Sequence, residues 1–128
     1  MNKEYTVEIL YTAKELTPVE KIRIKDLSNA ISLDTEVKPD SKLSIKVHNY
    51  IELKVHNERS KSDKEYIKFV VIDTDGNKYQ TGSESFWRSL TELYDDLNEL
   101  DPNDVPPIIV FKKPSANFKD KYFLTCSI

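Results

Sequence analysis

Polar and apolar residues alternate with period two through Leu43-Ser44-Ile45-Lys46-Val47, and again through Ile51-Glu52-Leu53-Lys54-Val55-His56. This predicts one long strand with a bulge or bend at His48-Asn49-Tyr50. Asn57 to Lys64 is polar and charged and reads as a loop. Tyr66 to Ile72 is rich in β-branched and aromatic residues and reads as a second strand. Asp73-Thr74-Asp75-Gly76-Asn77 has turn chemistry, and the short run Lys78 to Thr81 then completes a hairpin. There the period changes. Phe86, Leu90, Leu93, Leu97 and Leu100 recur at three- and four-residue spacings, one face of a helix. Ser83 stands where an N-cap is needed, and Glu84 lies in the first turn, where the helix dipole favours an acid. Pro102, Pro106 and Pro107 end the helix and hold the chain extended. Ile108 to Phe111 is a fourth strand, Lys112 to Asp120 a basic loop, and Tyr122 to Ile128 a fifth strand.

The order strand, strand, strand, helix, strand, strand predicts a mostly β protein. Specifically, it predicts a five-stranded OB-fold barrel with one α-helix between strands three and four. Residues 1–40 lie outside that minimal barrel. Tyr5-Thr6-Val7-Glu8-Ile9 alternates like a strand. Ile22-Arg23-Ile24-Lys25 does so again after a turn at Thr17-Pro18, and Ile31-Ser32-Leu33 is a third apolar patch. These predict an N-terminal β-hairpin, with or without a further strand, packed on or beside the barrel. Its edge, or a barrel edge, offers a contact to a second copy. The expected organisation is a single domain over residues 1–128, with a β extension at 1–40 and the barrel core at 41–128. The fifth strand running to Ile128 leaves no C-terminal tail in this expectation.

A chain of 128 residues can bury a core without disulfides or metal. Its single cysteine, Cys126, excludes an intramolecular disulfide and suits a reducing cytosol. Alternation places Cys126 inside the last strand as a small core residue. No apolar run approaches the roughly 20 residues of a membrane span, and Met1-Asn2-Lys3-Glu4 lacks the apolar core of a signal peptide.

The net charge of −3 is unevenly spread. Residues 83–104 hold seven acids, Glu84, Glu92, Asp95, Asp96, Glu99, Asp101 and Asp104, against Arg88. That is a local −6, so the rest of the chain carries +3. Such a split describes either a solvated helix face among ordinary surface lysines, or a molecule with an acidic and a basic side.

Single-strand binding needs cations that follow the phosphates and π-faces on which bases stack. The loop between strands one and two offers Arg59, Lys61 and Lys64. The loop between strands four and five offers Lys112, Lys113, Lys119 and Lys121 around Phe118, which reads as a stacking platform or as a core anchor. Alternation turns Tyr66 and Lys68 outward from strand two, Lys54 and His56 outward from strand one, and Lys78 outward from strand three. A one-residue register slip would reverse each of these assignments. Trp87 and Tyr94 flank the apolar helix stripe and read as packing residues. The expected interface is thus Lys54, His56, Arg59, Lys61, Lys64, Tyr66, Lys68, Lys78, Lys112, Lys113, Phe118, Lys119 and Lys121.

Catalytic patterns do not emerge. His48 and His56 stand without a second histidine or cysteine at zinc-ligand spacing. Neither a nucleophile elbow, a zinc-protease helix nor a phosphate loop occurs. Asp73 and Asp75 resemble the start of a calcium loop but lack its remaining ligands, so a hairpin turn is the better reading. The expectation is a protein without enzymatic activity, metal or cofactor.

Three strings carry a family resemblance. They are Thr81-Gly82-Ser83-Glu84-Ser85-Phe86 entering the helix, Lys113-Pro114-Ser115 with Asn117-Phe118-Lys119 and Phe123-Leu124-Thr125-Cys126 near the end, and Glu4 through Leu16 at the start. Together they resemble the single-stranded DNA-binding proteins of lactococcal-type siphophages, phages of Gram-positive bacteria. The resemblance implies an OB fold and sequence-independent coating of single-stranded DNA. It also implies work beside phage replication and recombination proteins in the bacterial host cytoplasm. Bacterial single-strand-binding proteins recruit partners through an acidic C-terminal tail. The sequence here suggests the acidic helix or the N-terminal segment for that role. A second expectation, from another class, is a phage-encoded OB-fold interaction module that binds or inhibits a host protein.

Overall fold

The computed structural model describes residues 5–59, 64–97, 105–116 and 121–128. Among these it is mostly β, with eight strands and three helices. The elements are β1 (Tyr5–Thr12), α1 (Pro18–Ile24), β2 (Ile31–Ser32), α2 (Leu33–Glu36), β3 (Leu43–Ile45), β4 (Val47–Asn57), β5 (Glu65–Asp73), β6 (Lys78–Thr81), α3 (Glu84–Leu97), β7 (Ile108–Pro114) and β8 (Tyr122–Ser127). No helix among the described residues is long and apolar enough to cross a membrane.

The chain divides into two compact units, residues 1–31 with 48–82, and residues 32–47 with 83–128. The first unit carries the five-stranded sheet, in the order β1-β4-β5-β6-β2. Its core joins Leu53, Ile51 and Val70 from the sheet to Leu16 and to Ile24 of α1, with Val7, Ile9, Leu27 and Ile72 packed around them. Ile51, Leu53 and Val55 alternate into the sheet and are fully buried, as their spacing predicts. The β5–β6 turn is fixed by Asp73, which accepts hydrogen bonds from the backbone N–H groups of Asp75 and Asn77 and from the Asn77 amide. Gly76 takes the positive φ (89°) that the turn requires.

The segment Ile22–Lys25, expected as a strand, instead belongs to helix α1 and its cap. Thr17 is the N-cap, Pro18 opens the first turn, and Thr17 and Glu20 form a reciprocal capping box. The Ile-Arg-Ile alternation misleads because only Ile24 is buried, while Ile22 is 73% exposed. With those residues helical, no N-terminal hairpin forms among the described residues. β1 pairs instead with β4, from Tyr5↔Asn57 to Thr12↔Ile51, with a shift between Ile9 and Tyr11.

The second unit carries the three-stranded sheet β3-β7-β8. β3 and β8 pair antiparallel with β7 on its two sides. Helix α3 runs along β8 and buries Phe86, Leu90 and Leu97. Ser85 Oγ donates to the Leu124 carbonyl at 2.8 Å, and Ser89 and Thr125 share a hydroxyl–hydroxyl bond of 2.9 Å. Cys126 is buried there, and burial pushes its thiol up to about 12. Burial, with Cys126 nearby, likewise pushes the Tyr94 phenol up to about 12.

The expected element order from residue 41 onward is present. The expected long first strand is divided at Lys46 into β3 and β4, which enter different sheets. Neither sheet closes into a barrel among the described residues. The free side of β6, where closure would need a partner, is taken by β2 from the N-terminal segment.

Candidate nucleic-acid interface

The predicted binding residues fall into three groups. The first lies at the β4–β5 hairpin of the first unit. Lys54 and His56 project on the face opposite Leu53 and Val55, as alternation requires. Both meet carboxylates. Lys54 Nζ lies 3.5 Å from Glu65, and His56 lies 2.6 Å from Glu58 and 3.4 Å from Glu65. Lys64 Nζ pairs with Glu58 at 3.1 Å. The Lys64 and His56 contacts hold the Glu58 carboxyl below its ordinary value. Arg59 follows β4 in a turn closed by its own N–H to the Asn57 side chain. Lys54, His56 and Lys64 are thus tied to acids. Exposed pairs of this kind contribute little to stability but lower the positive potential that a phosphate would meet.

The second group is Tyr66, Lys68 and Lys78. Glu65 turns toward Lys54 and His56, so its neighbour Tyr66 points to the other face, with Lys68 and Val70. Val70 belongs to the same buried core cluster as Ile24. This is the face that carries α1, so the expected outward face is partly covered. The reason is the helix itself, which the reading of residues 1–40 as β strands omitted. Lys78 is engaged outright: its ammonium donates to the carbonyls of Arg23 at 2.7 Å and Asp26 at 2.5 Å. Burial lowers its pKa, against the opposing pull of Asp26. It completes the C-terminus of α1, a structural role. Tyr66 and Lys68 are half-buried and lie on the opposite face from Lys54 and His56, so the four form no single platform.

An open cleft of ≈ 690 Å³ lies on the same side of this unit, between α1 and the β5–β6 turn. Glu20, Arg23, His48, Asp73 and Lys78 are among its lining. Asp73 and Lys78 are spent on the turn and on the helix end, and Glu20 on the α1 cap.

The third group lies in the second unit. Lys112 and Lys113, expected in a loop, belong to strand β7. They therefore point to opposite faces. Lys112 donates to the Asp34 carbonyl at 2.8 Å. Lys113 stands opposite Phe123 in the register and sits 5.8 Å from the centre of the Phe111 ring. Lys121 is exposed just before β8. Lys61, Phe118 and Lys119 lie outside the described residues.

The register then shows a surface that sequence reasoning missed. Phe111 lies opposite Thr125 and Lys113 opposite Phe123, so Phe111, Lys113 and Phe123 share one face of the sheet. Val110, Leu124 and Cys126 share the other, buried face. Phe123 is 38% exposed. Lys42, just before β3, brings a second ammonium to 6.0 Å from the Phe111 ring centre. Among the described residues, neither Lys42 nor Lys113 is paired with a carboxylate. The signal was available. Carrying the alternation of Ile109 and Phe111 two residues further puts Lys113 beside them, and an inward Cys126 implies an outward Phe123.

Among the described residues, no three His, Cys, Asp or Glu side chains are arranged to hold a metal ion. No family model, curated protein or solved structure matches this chain.

Proposed function

We propose that this protein binds single-stranded nucleic acid through the Phe111–Phe123 face of its three-stranded sheet. The observation that carries the reading is the coincidence, on one sheet face, of two aromatic rings, Phe123 being 38% exposed, and two ammoniums that no carboxylate among the described residues pairs. Stacking on π-faces and neutralisation of phosphates are the two interactions that sequence-blind single-strand binding uses. The pairings also support an opened form of the OB connectivity. The interrupted strand β3–β4 pairs with β5 through its second part and with β7 through its first, and α3 stands between the third and fourth strands of that scheme.

In this reading the protein coats single-stranded DNA during phage replication or recombination, in the host cytoplasm, without catalysing a reaction on it. A titration of labelled oligothymidylate at low salt, repeated at rising salt, tests it. Binding should be measurable, weaken with salt and exceed binding to duplex of equal length. A folded sample that binds no oligonucleotide at low salt refutes it.

A second reading is an interaction module for a protein partner. It is favoured by the edge strand β1, which exposes Tyr5, Leu10 and Tyr11 by 45–49%. Edge strands of this kind accept a further strand from another chain or a second copy.

A further inference from the structure

Phe111 and Phe123 share a face but not a situation. Phe123 offers its ring to solvent, whereas the ring of Phe111 is already occupied by the ammoniums of Lys113 at 5.8 Å and Lys42 at 6.0 Å. These distances are at the outer reach of a cation–π contact, which attracts the ammonium without satisfying its hydrogen bonds. The two lysines come from different places in the chain. Lys113 is fixed by the β7 register opposite Phe123, and Lys42 enters just before β3, whose Leu43 pairs with Val110. Two like charges would otherwise spread apart on flexible four-carbon stems. Phe111 gives both one electron-rich surface to rest on.

We infer that Phe111 is a positioning residue that gathers Lys42 and Lys113 into a phosphate subsite for a single strand, while Phe123 is the base-stacking platform beside it. The inference rests on the proposed single-strand binding and divides the labour within that site. The ligand is the phosphodiester backbone of the strand, bound next to one unstacked base. Holding the ammoniums in advance reduces the ordering cost paid on binding. Phe111 acts through its π-face rather than its volume, so leucine should not replace it and tyrosine should.

The test compares wild type with Phe111→Leu, Phe111→Tyr, Phe123→Leu and the double variant Lys42→Ala/Lys113→Ala. Affinity is measured by fluorescence anisotropy for oligothymidylate, for an abasic oligodeoxynucleotide of equal length, and for polyglutamate. Phe123→Leu should weaken oligothymidylate binding about 5- to 150-fold and leave abasic binding unchanged. Phe111→Leu should weaken both nucleic acids by the same factor, about 3- to 10-fold. Phe111→Tyr should bind both as wild type does, and the double lysine variant should reproduce and exceed the Phe111→Leu loss. The lysine variant keeps the test decisive if Phe111→Leu lowers the melting temperature.

A Phe111→Leu protein that loses oligothymidylate but keeps abasic binding overturns the inference alone, because Phe111 would then be a second stacking platform. Equal losses in Phe111→Leu and Phe111→Tyr also overturn it. A wild-type protein that binds polyglutamate but neither oligonucleotide overturns the single-strand reading and the inference with it.

Discussion

Replacing Lys78 with methionine separates a structural cation from a binding one. Alternation turns Lys78 outward with Gln80, which makes it a natural phosphate contact on paper. In the fold, its ammonium closes the end of α1 through the carbonyls of Arg23 and Asp26, at 2.7 and 2.5 Å. Gln80 reaches the following carbonyls of Leu27 and Ala30, both at 3.4 Å. Methionine keeps the apolar stem and removes only the charge and its donors. A hydrogen bond from a charged group contributes about 1.5–3 kcal/mol when its partner is left unsatisfied. Here the carbonyls are near solvent and regain water, so both bonds together should be worth about 1–2 kcal/mol. For a chain of this length that corresponds to a fall in melting temperature of about 3–10 °C. Thermal and urea unfolding followed by far-UV circular dichroism would measure it, with oligothymidylate affinity determined in parallel. The expected result is lower stability with unchanged affinity and salt slope. A variant that melts like wild type, yet binds more weakly with a shallower slope, would refute the helix-closing role.

Two further predictions concern buried groups. Burial alone would raise the Asp73 carboxyl, but the donors from Asn77, Asp75 and Tyr79 outweigh it and hold the pKa below the ordinary 3.8. Its stabilising contribution is therefore present above that value and lost as pH falls through the depressed one. Asp73→Ala should cost about 1–3 kcal/mol at neutral pH and flatten the acid limb of stability measured by urea titration; an unchanged acid limb would count against it. The Cys126 thiol, pushed up to about 12 by burial, should react with a disulfide reagent at mildly alkaline pH only after unfolding. Labelling of native protein at the rate of a free thiol would show that β8 opens readily.

The parts of the fold legible in the sequence are those where one periodicity operates alone. β4 reads cleanly because Ile51, Leu53 and Val55 enter the core while Lys54 and His56 leave it. α3 reads cleanly because Phe86, Leu90 and Leu97 recur on one face. Legibility fails where a short element satisfies two periods. Ile22 and Ile24 fit a strand, and only the Thr17-Pro18-x-Glu20 start signal identifies a helix. That single error then turned the α1-bearing face of β5 and β6 into an apparent binding face. Closure of the barrel was illegible for a different reason. Whether β6 meets the last strand or the two residues of β2 depends on non-local pairing, which alternation does not encode.

The consequence for function is electrostatic. Ten lysines and arginines in the expected interface, each neutralising one phosphate, would give a log–log salt slope of about −7 on single strands, at −0.7 per phosphate. The structure ties Lys54 and Lys64 to carboxylates and spends Lys78 and Lys112 on backbone carbonyls. Lys68 sits on the face that α1 covers. Lys61 and Lys119 lie outside the described residues, and Arg59 sits in the turn after β4. Among the described residues, Lys113 and Lys42 share the Phe111 ring, and Lys121 is exposed just before β8. The two or three phosphates that these described lysines would meet give a slope of about −1.4 to −2.1. A weak salt dependence then shifts the burden of affinity to stacking, which salt does not screen. Binding should consequently survive moderate ionic strength in wild type and fail there in Phe123→Leu. A measured slope near −7 would refute this accounting and mean that the paired cations exchange their carboxylates for phosphates on binding.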